Sequence, residues 1–310
     1  MTTLIVAQNQ FQALLRQKTF GLLLAIFFLL TALSAYIGWS AHHTVEGIYQ
    51  ATAQKLATSG VTEIPDDPFS STPPLALLKN MLIYVPLIGS LMAIVIGHSS
   101  FMRDRKAGVT KVLFSRPLRR GELIGGKIVS LVGSLLLILV GAAIVSWLAT
   151  GLVTGHFLQL PDTLRLVSFF GLSLLYLLLF ALLGLLFSIS ARSESLALLL
   201  PVVIWIGVTF MLPQLISATN PVASLNPITS QVEAPNSRFF AVAQRMIGPI
   251  SIADRYKELS RRLLNLPSAA PSSSSTASVV LTLGLFVVSL GAACVVAIHR
   301  YDVCGDTVYE

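Results

Sequence analysis

The densest chemistry in the sequence lies in residues 101–127, FMRDRKAGVTKVLFSRPLRRGELIGGK. This stretch holds eight of the 21 lysines and arginines: Arg103, Arg105, Lys106, Lys111, Arg116, Arg119, Arg120 and Lys127. Its end, Gly121 to Lys127, fits the first seven positions of the phosphate-cradling pattern G-x-x-x-x-G-K-[ST]. The eighth is Ile128, so the hydroxyl that would hold magnesium is missing, and no strand pattern precedes the string. A phosphate cradle needs a strand–loop–helix setting, which excludes a nucleotide site here. Nor does any polar segment exceed about 60 residues, well under the usual size of an NTPase domain.

Other reactive side chains form no recognisable centre. His42 and His43 are adjacent, so they diverge on a helix, and no third ligand accompanies them. His98 is the one imidazole within an apolar run, near its end, where helix-end polarity explains it better than proton relay. Neither G-x-S-x-G nor H-E-x-x-H occurs, so a hydrolase lacks its parts. Cys294 and Cys304 imply no disulfide framework and no zinc site.

The elements that carry these residues are membrane spans. Of 310 residues, 54% are hydrophobic and only 11% charged, against about 25% charged in soluble proteins. A bilayer core of about 30 Å takes about 20 apolar residues in helix. Six runs meet that length without Asp, Glu, Lys or Arg: 20–39, 80–101, 128–150, 166–190, 195–216 and 276–298. They are continuous, not alternating, which argues against a barrel. The predicted fold is all-α and polytopic, and the uncharged spans leave an ion-coupled carrier little to work with.

Short basic flanks orient the spans. Arg16 and Lys18, the eight-base stretch, Arg192 and Arg300 all fall on one side when six spans are threaded in order. The positive-inside rule then puts both termini (1–19 and 299–310) and the loop 102–127 in the cytoplasm. Segments 40–79, 151–165 and 217–275 face outside, and Tyr36, Trp39, Tyr84 and Trp147 fall near the outer interface. A net charge of +7 so distributed reflects topology, and nucleic acid is not an expected partner. Residues 3–18 read as a cytoplasmic interfacial helix, with Leu4, Ala7, Phe11, Leu14 and Leu15 on one face.

Within 217–275, Ile252, Tyr256, Leu259 and Leu263 recur at helical spacing opposite Arg255, Lys257, Glu258, Arg261 and Arg262. They predict an amphipathic helix on the outer membrane face or against the bundle, its apolar side offered to membrane or an external partner protein. Ser251 and Asp254 suit a capping box at its start.

The basic loop also carries a resemblance. Its order is Arg103, Asp104 and Arg105, then Gly108, Val112-Leu113, then Ser115, Pro117, Leu118, Arg119 and Arg120, then Glu122 and Gly126-Lys127. In this it resembles the type-2 ABC exporter permeases. The sizeable outer loop 217–275 before the last span looks like an enlarged form of that family's external hairpin, and within the family the chain looks most like the simple permeases of bacterial export operons, such as that of nitrous-oxide-reductase maturation. Val109 stands where that family often has threonine, and Lys106 where it often has an acid. The resemblance implies six-helix subunits of the bacterial inner membrane that pair, usually as homodimers, and bind two copies of a separate ATPase. The chain itself would bind no cofactor, with ATP and magnesium on the partner. The residues just named, from Arg103 to Glu122, would form the coupling element seated in that ATPase. A membrane scaffold for an envelope protein complex is the competing expectation, and the apolar spans leave the cargo unspecified.

Overall fold

The computed structural model describes residues 2–59, 73–106, 120–154, 157–212, 251–266 and 275–301. Among them every regular element is helical, and six segments are long and apolar enough to cross a membrane. The protein is an all-α, multi-pass membrane protein.

The apolar runs locate the spans but not the helix ends, because a helix continues wherever local sequence permits it, in lipid or in water. Helix α1 (Thr2–Leu15) precedes α2, which runs from Lys18 to Thr58 and continues 19 residues past the expected end of the first span. The added stretch is rich in helix formers and free of proline. Its hydroxyls stay within the helix: Thr44 Oγ1 donates to the Ser40 carbonyl and Thr52 Oγ1 to that of Ile48, both at 2.8 Å.

The second span is segmented. A 3₁₀ turn (Pro74–Leu78) leads to α3 (Met81–Tyr84), a π turn (Val85–Gly89) around Pro86, and α4 (Ser90–Lys106). Proline removes a backbone donor and crowds the preceding turn, which is why the ladder widens here. The Pro86 carbonyl accepts from the Ser90 hydroxyl and, at 3.3 Å, from Trp205 Nε1, which also donates to Ser90 Oγ at 2.6 Å.

Helices α5 (Arg120–Thr154) and α6 (Leu160–Ser190) are the long third and fourth spans. Then come α7 (Glu194–Ile206), which passes into a second π turn (Gly207–Met211), α8 (Ile252–Leu263) and α9 (Thr276–Arg300). Helix α5 starts eight residues ahead of its apolar run, and α6 starts six ahead of its own. The fifth span, expected to reach 216, is described only to Leu212.

Helix α6 is the hub, packed by α4, α5, α7, α8 and α9. Its tightest contact is with α4. A Cβ on Gly97 would collide with the Ala181 carbonyl, and one on Gly184 with that of Ile94. Small residues let membrane helices meet backbone to backbone, where dispersion and weak polar contacts replace the hydrophobic effect. Because the obstructing atoms are backbone, they cannot rotate away. Gly184→Ala is therefore expected to destabilise the bundle by about 1–3 kcal/mol. Gly171, with nothing within 4 Å of an added Cβ, serves as control, and Gly171→Ala should be neutral or slightly stabilising. Thermal melting in detergent reads both, and equal melting points for Gly184→Ala and wild type would refute the close crossing.

Candidate functional site

Both stems of the basic loop are helical, since α4 carries it out to Lys106 and α5 receives it from Arg120. Between the stems the polar groups condense. Lys127 is only 1% exposed and donates from Nζ to Asp104 Oδ2 and to the Ser100 carbonyl, both at 2.6 Å. The Phe101 ring lies 5.6 Å from the same ammonium. Asp104 Oδ2 also accepts from Gln10 Nε2 at 2.9 Å, and Gln10 Oε1 accepts from Arg103 Nη2 at 2.9 Å. Arg103 Nε stands 3.8 Å from Asp104 Oδ1. One carboxylate, one ammonium, one guanidinium and one amide thus join α1, α4 and α5. Burying an ion is tolerable only with such pairing and hydrogen bonding.

The two arginines nearest the loop reach outward to other spans. Arg105 donates to the carbonyls of Ala191 (Nη1, 2.9 Å) and Arg192 (Nη2, 3.2 Å), just past the end of α6. Arg120 Nη1 donates to the carbonyls of Ile298, His299 and Tyr301 at 3.3, 2.8 and 3.4 Å, at the end of α9. Terminal carbonyls lack helical partners and carry the negative pole of the dipole, so guanidinium donors suit them. Tyr301 closes edge-on against Phe101, ring centroids 5.5 Å apart. Helix α1 completes the base, with Ala7 and Leu14 buried and Phe11 over Gly133 of α5, while Leu4 stays 74% exposed.

Of the residues expected in the coupling element, Arg103, Asp104, Arg105, Arg120 and Glu122 are placed here, and the first four tie helices together. Gly108, Leu113, Ser115, Pro117, Leu118 and Arg119 lie outside the described residues. The sequence reading missed Lys127, Gln10 and Ser100. Lys127 stands in the basic loop, in the failed phosphate pattern and in the Gly-Lys pair of the resemblance, but none of these pairs it with Asp104, and the string from Gly121 is helical within α5. A lysine inside an amphipathic run, facing an aspartate on the neighbouring stem, was the available signal.

The amphipathic helix was expected on the outer membrane face or against the bundle, and the structure describes it against the bundle. Ile252, Tyr256 and Leu259 are buried, and Leu263 packs on the same core. Helix α8 lies on α6, with contacts to α3, α9 and the second π turn. The Tyr256 ring stacks on Tyr176, centroids 4.4 Å apart. Its hydroxyl lies 2.8 Å from Ser173 Oγ, whose own proton goes to the Phe169 carbonyl at 2.8 Å, so the phenol is the donor. Burial pushes that phenol well above the ordinary tyrosine value, which keeps it neutral. A buried phenol needs a partner, and span four supplies one where lipid could not. The expected capping box takes another form: Ser251 Oγ donates to Asp254 Oδ2 at 2.7 Å, not to a backbone group. Elsewhere His98 Nδ1 sits 3.0 Å from Ser188 Oγ. Among the described residues no cluster of His, Cys, Asp or Glu could hold a metal.

The buried pair predicts a specific mutational pattern. Lys127→Met alone leaves Asp104 in a dry site and should cost about 3–5 kcal/mol of stability, whereas Asp104→Leu with Lys127→Met should regain most of it. Melting points of the purified single and double variants check this. A single variant as stable as wild type would contradict it.

No individual curated protein matches the chain. Residues 4–302 match the family model for the ABC-2 family transporter protein, a range that takes in all six spans and the whole charge network. Family membrane subunits of this kind are not themselves the catalyst, and a partner ABC ATPase is general to them. This multi-pass chain belongs to the ABC-2 transporter family, as a permease subunit of an ABC transporter.

Proposed function

We propose that this chain is the permease of an exporter in the bacterial inner membrane, driven by a separate ATPase that docks on the basic loop. It acts as one of two identical subunits, with two ATPase copies holding ATP and magnesium, and both termini in the cytoplasm. The observation that carries this reading is the anchoring of the loop. Asp104 and Lys127 lock its two stems to each other, Arg105 fastens one stem to the end of α6, and Arg120 fastens the other to the end of α9. A push on the loop is thereby delivered to four spans at once, which a mere topology signal would not require. Within the family, the subgroup we favour is the simple permeases of bacterial export operons, including that of nitrous-oxide-reductase maturation.

Docking is tested in the loop itself, not at its anchors, since Arg120 also caps α9. Arg119→Glu and, separately, Leu113→Asp should leave insertion and protein level intact yet weaken ATPase retention by several kcal/mol, as charge reversal at a close interface does. Co-purification with the ATPase and permease-stimulated ATP turnover are the measurements. Normal retention and turnover in both variants would overturn the assignment and favour a scaffold.

Orientation has its own test. A reporter fused after Glu310 should be active only if it functions in the cytoplasm. Activity confined to an externally active reporter would reverse the topology.

A further inference from the structure

A recess of about 440 Å³ runs between α5 and α6 in the half of the bundle away from the charge network. Its walls rise from Leu136 to Trp147 on α5 and from Thr163 to Leu174 on α6. From the first to the last of these twelve residues a helix rises roughly 16 Å. That matches one leaflet of hydrocarbon, about half of a 30 Å core. The recess therefore begins near the midplane and ends at one membrane face.

Its form suits one kind of occupant. The recess is an open groove between two helices, roughly 16 Å long, of a length and volume to take one hydrocarbon chain. The lining is apolar, with Val140 and Ile144 at the lips and Phe170 and Gly171 on the facing helix. Its one hydroxyl, Thr163 Oγ1, is directed to the Leu158 carbonyl at 3.4 Å.

The mouth is interfacial in character. Trp147 stacks on Phe157 with centroids 5.0 Å apart, as aromatic residues do at headgroup level. Between Thr163 and Leu166 of the lining, Arg165 reaches Asp162 across 3.6 Å, and its side chain remains 45% exposed. A guanidinium there, just ahead of the apolar run of α6, can bond a phosphate oxygen while keeping its carboxylate neighbour.

We infer that the α5–α6 recess is a binding site for a membrane phospholipid, one acyl chain lying in the recess and the phosphate on Arg165. The site holds its lipid independently of ATP and of docking on the loop, so its test is separate from that of the proposed function. Gly171 makes that test clean, because nothing lies within 4 Å of an added Cβ and a larger side chain grows into the recess.

The experiment is native mass spectrometry of the full chain taken from bilayer discs of phosphatidylglycerol and phosphatidylethanolamine, stripped stepwise with detergent. Wild type should keep a single phospholipid per chain. Gly171→Leu should reduce that retention roughly tenfold, as several methylenes lose their burial, with melting point and oligomeric state unchanged. Val140→Phe, which obstructs the recess from the opposite lip, should do the same and stands in if Gly171→Leu proves unstable. Arg165→Gln should weaken retention of phospholipid but not of dioleoylglycerol, which has no phosphate. Absence of a retained lipid in wild type, or equal retention in wild type and both filled variants, overturns the proposal. So does a change of oligomeric state with lipid retention intact, which would assign the recess to a second copy of the chain.

Discussion

An ammonium that has lost its water must be repaid by its neighbours, and the half of this molecule that carries the stems of the basic loop is organised around doing so for Lys127. Removing either partner of a buried pair is worth several kcal/mol, because the survivor keeps its desolvation penalty without its compensation. The pair therefore fixes the distance between the end of α4 and the start of α5. Gln10 can reach Asp104 only if α1 lies across both stems, and Arg103 is held by the same amide. The N-terminal helix owes its place on α5 to these polar contacts as well as to Ala7, Phe11 and Leu14. Outside this cluster, Arg105 and Arg120 apply the same principle to helix termini, whose carbonyls would otherwise lack donors.

Much of the architecture was legible from hydropathy alone, because lipid imposes a length on each apolar run. The ends were not legible, since lipid is indifferent to what a helix does beyond it. Residues 40–58 were polar enough to suggest a loop, yet α2 continues through them on helix formers and internally bonded threonines. Lys127 illustrates the other kind of gap. Its partner Asp104 lies 23 residues away across the loop, and Gln10 lies 94 residues from Asp104. Periodicity within one segment carries no information about such pairs.

The amphipathic helix was visible from its periodicity, which left open whether membrane or bundle covers it. Alternation of apolar and charged residues announces that one face of α8 will be covered, but not by what. The complementary signal was in the fourth span, where Ser173 and Tyr176 place two hydroxyls one turn apart in an otherwise apolar helix. Hydroxyls in lipid look for protein partners. Ser173 and Tyr256 have each other, and Tyr176 gives α8 an aromatic face to lie on. The charged side of α8 points elsewhere, with Arg255 Nη1 on Thr282 Oγ1 of α9 at 3.2 Å and Arg262 against Glu258 at 3.3 Å.

The crossing of α4 and α6 has a mechanical meaning. At Gly97 and Gly184 each helix presses a bare backbone groove against carbonyls of the other, so no side chain separates them to act as a bearing. Sliding along that contact would drive the Cβ-bearing residues flanking each glycine into those carbonyls, and rotation about either axis would do the same. The two helices are consequently a single beam. Arg105 lies on one member of the beam and grips the chain just past the end of the other. The pair can shift only as a unit, while α7 and α9 keep surfaces that are largely uncovered in the single chain.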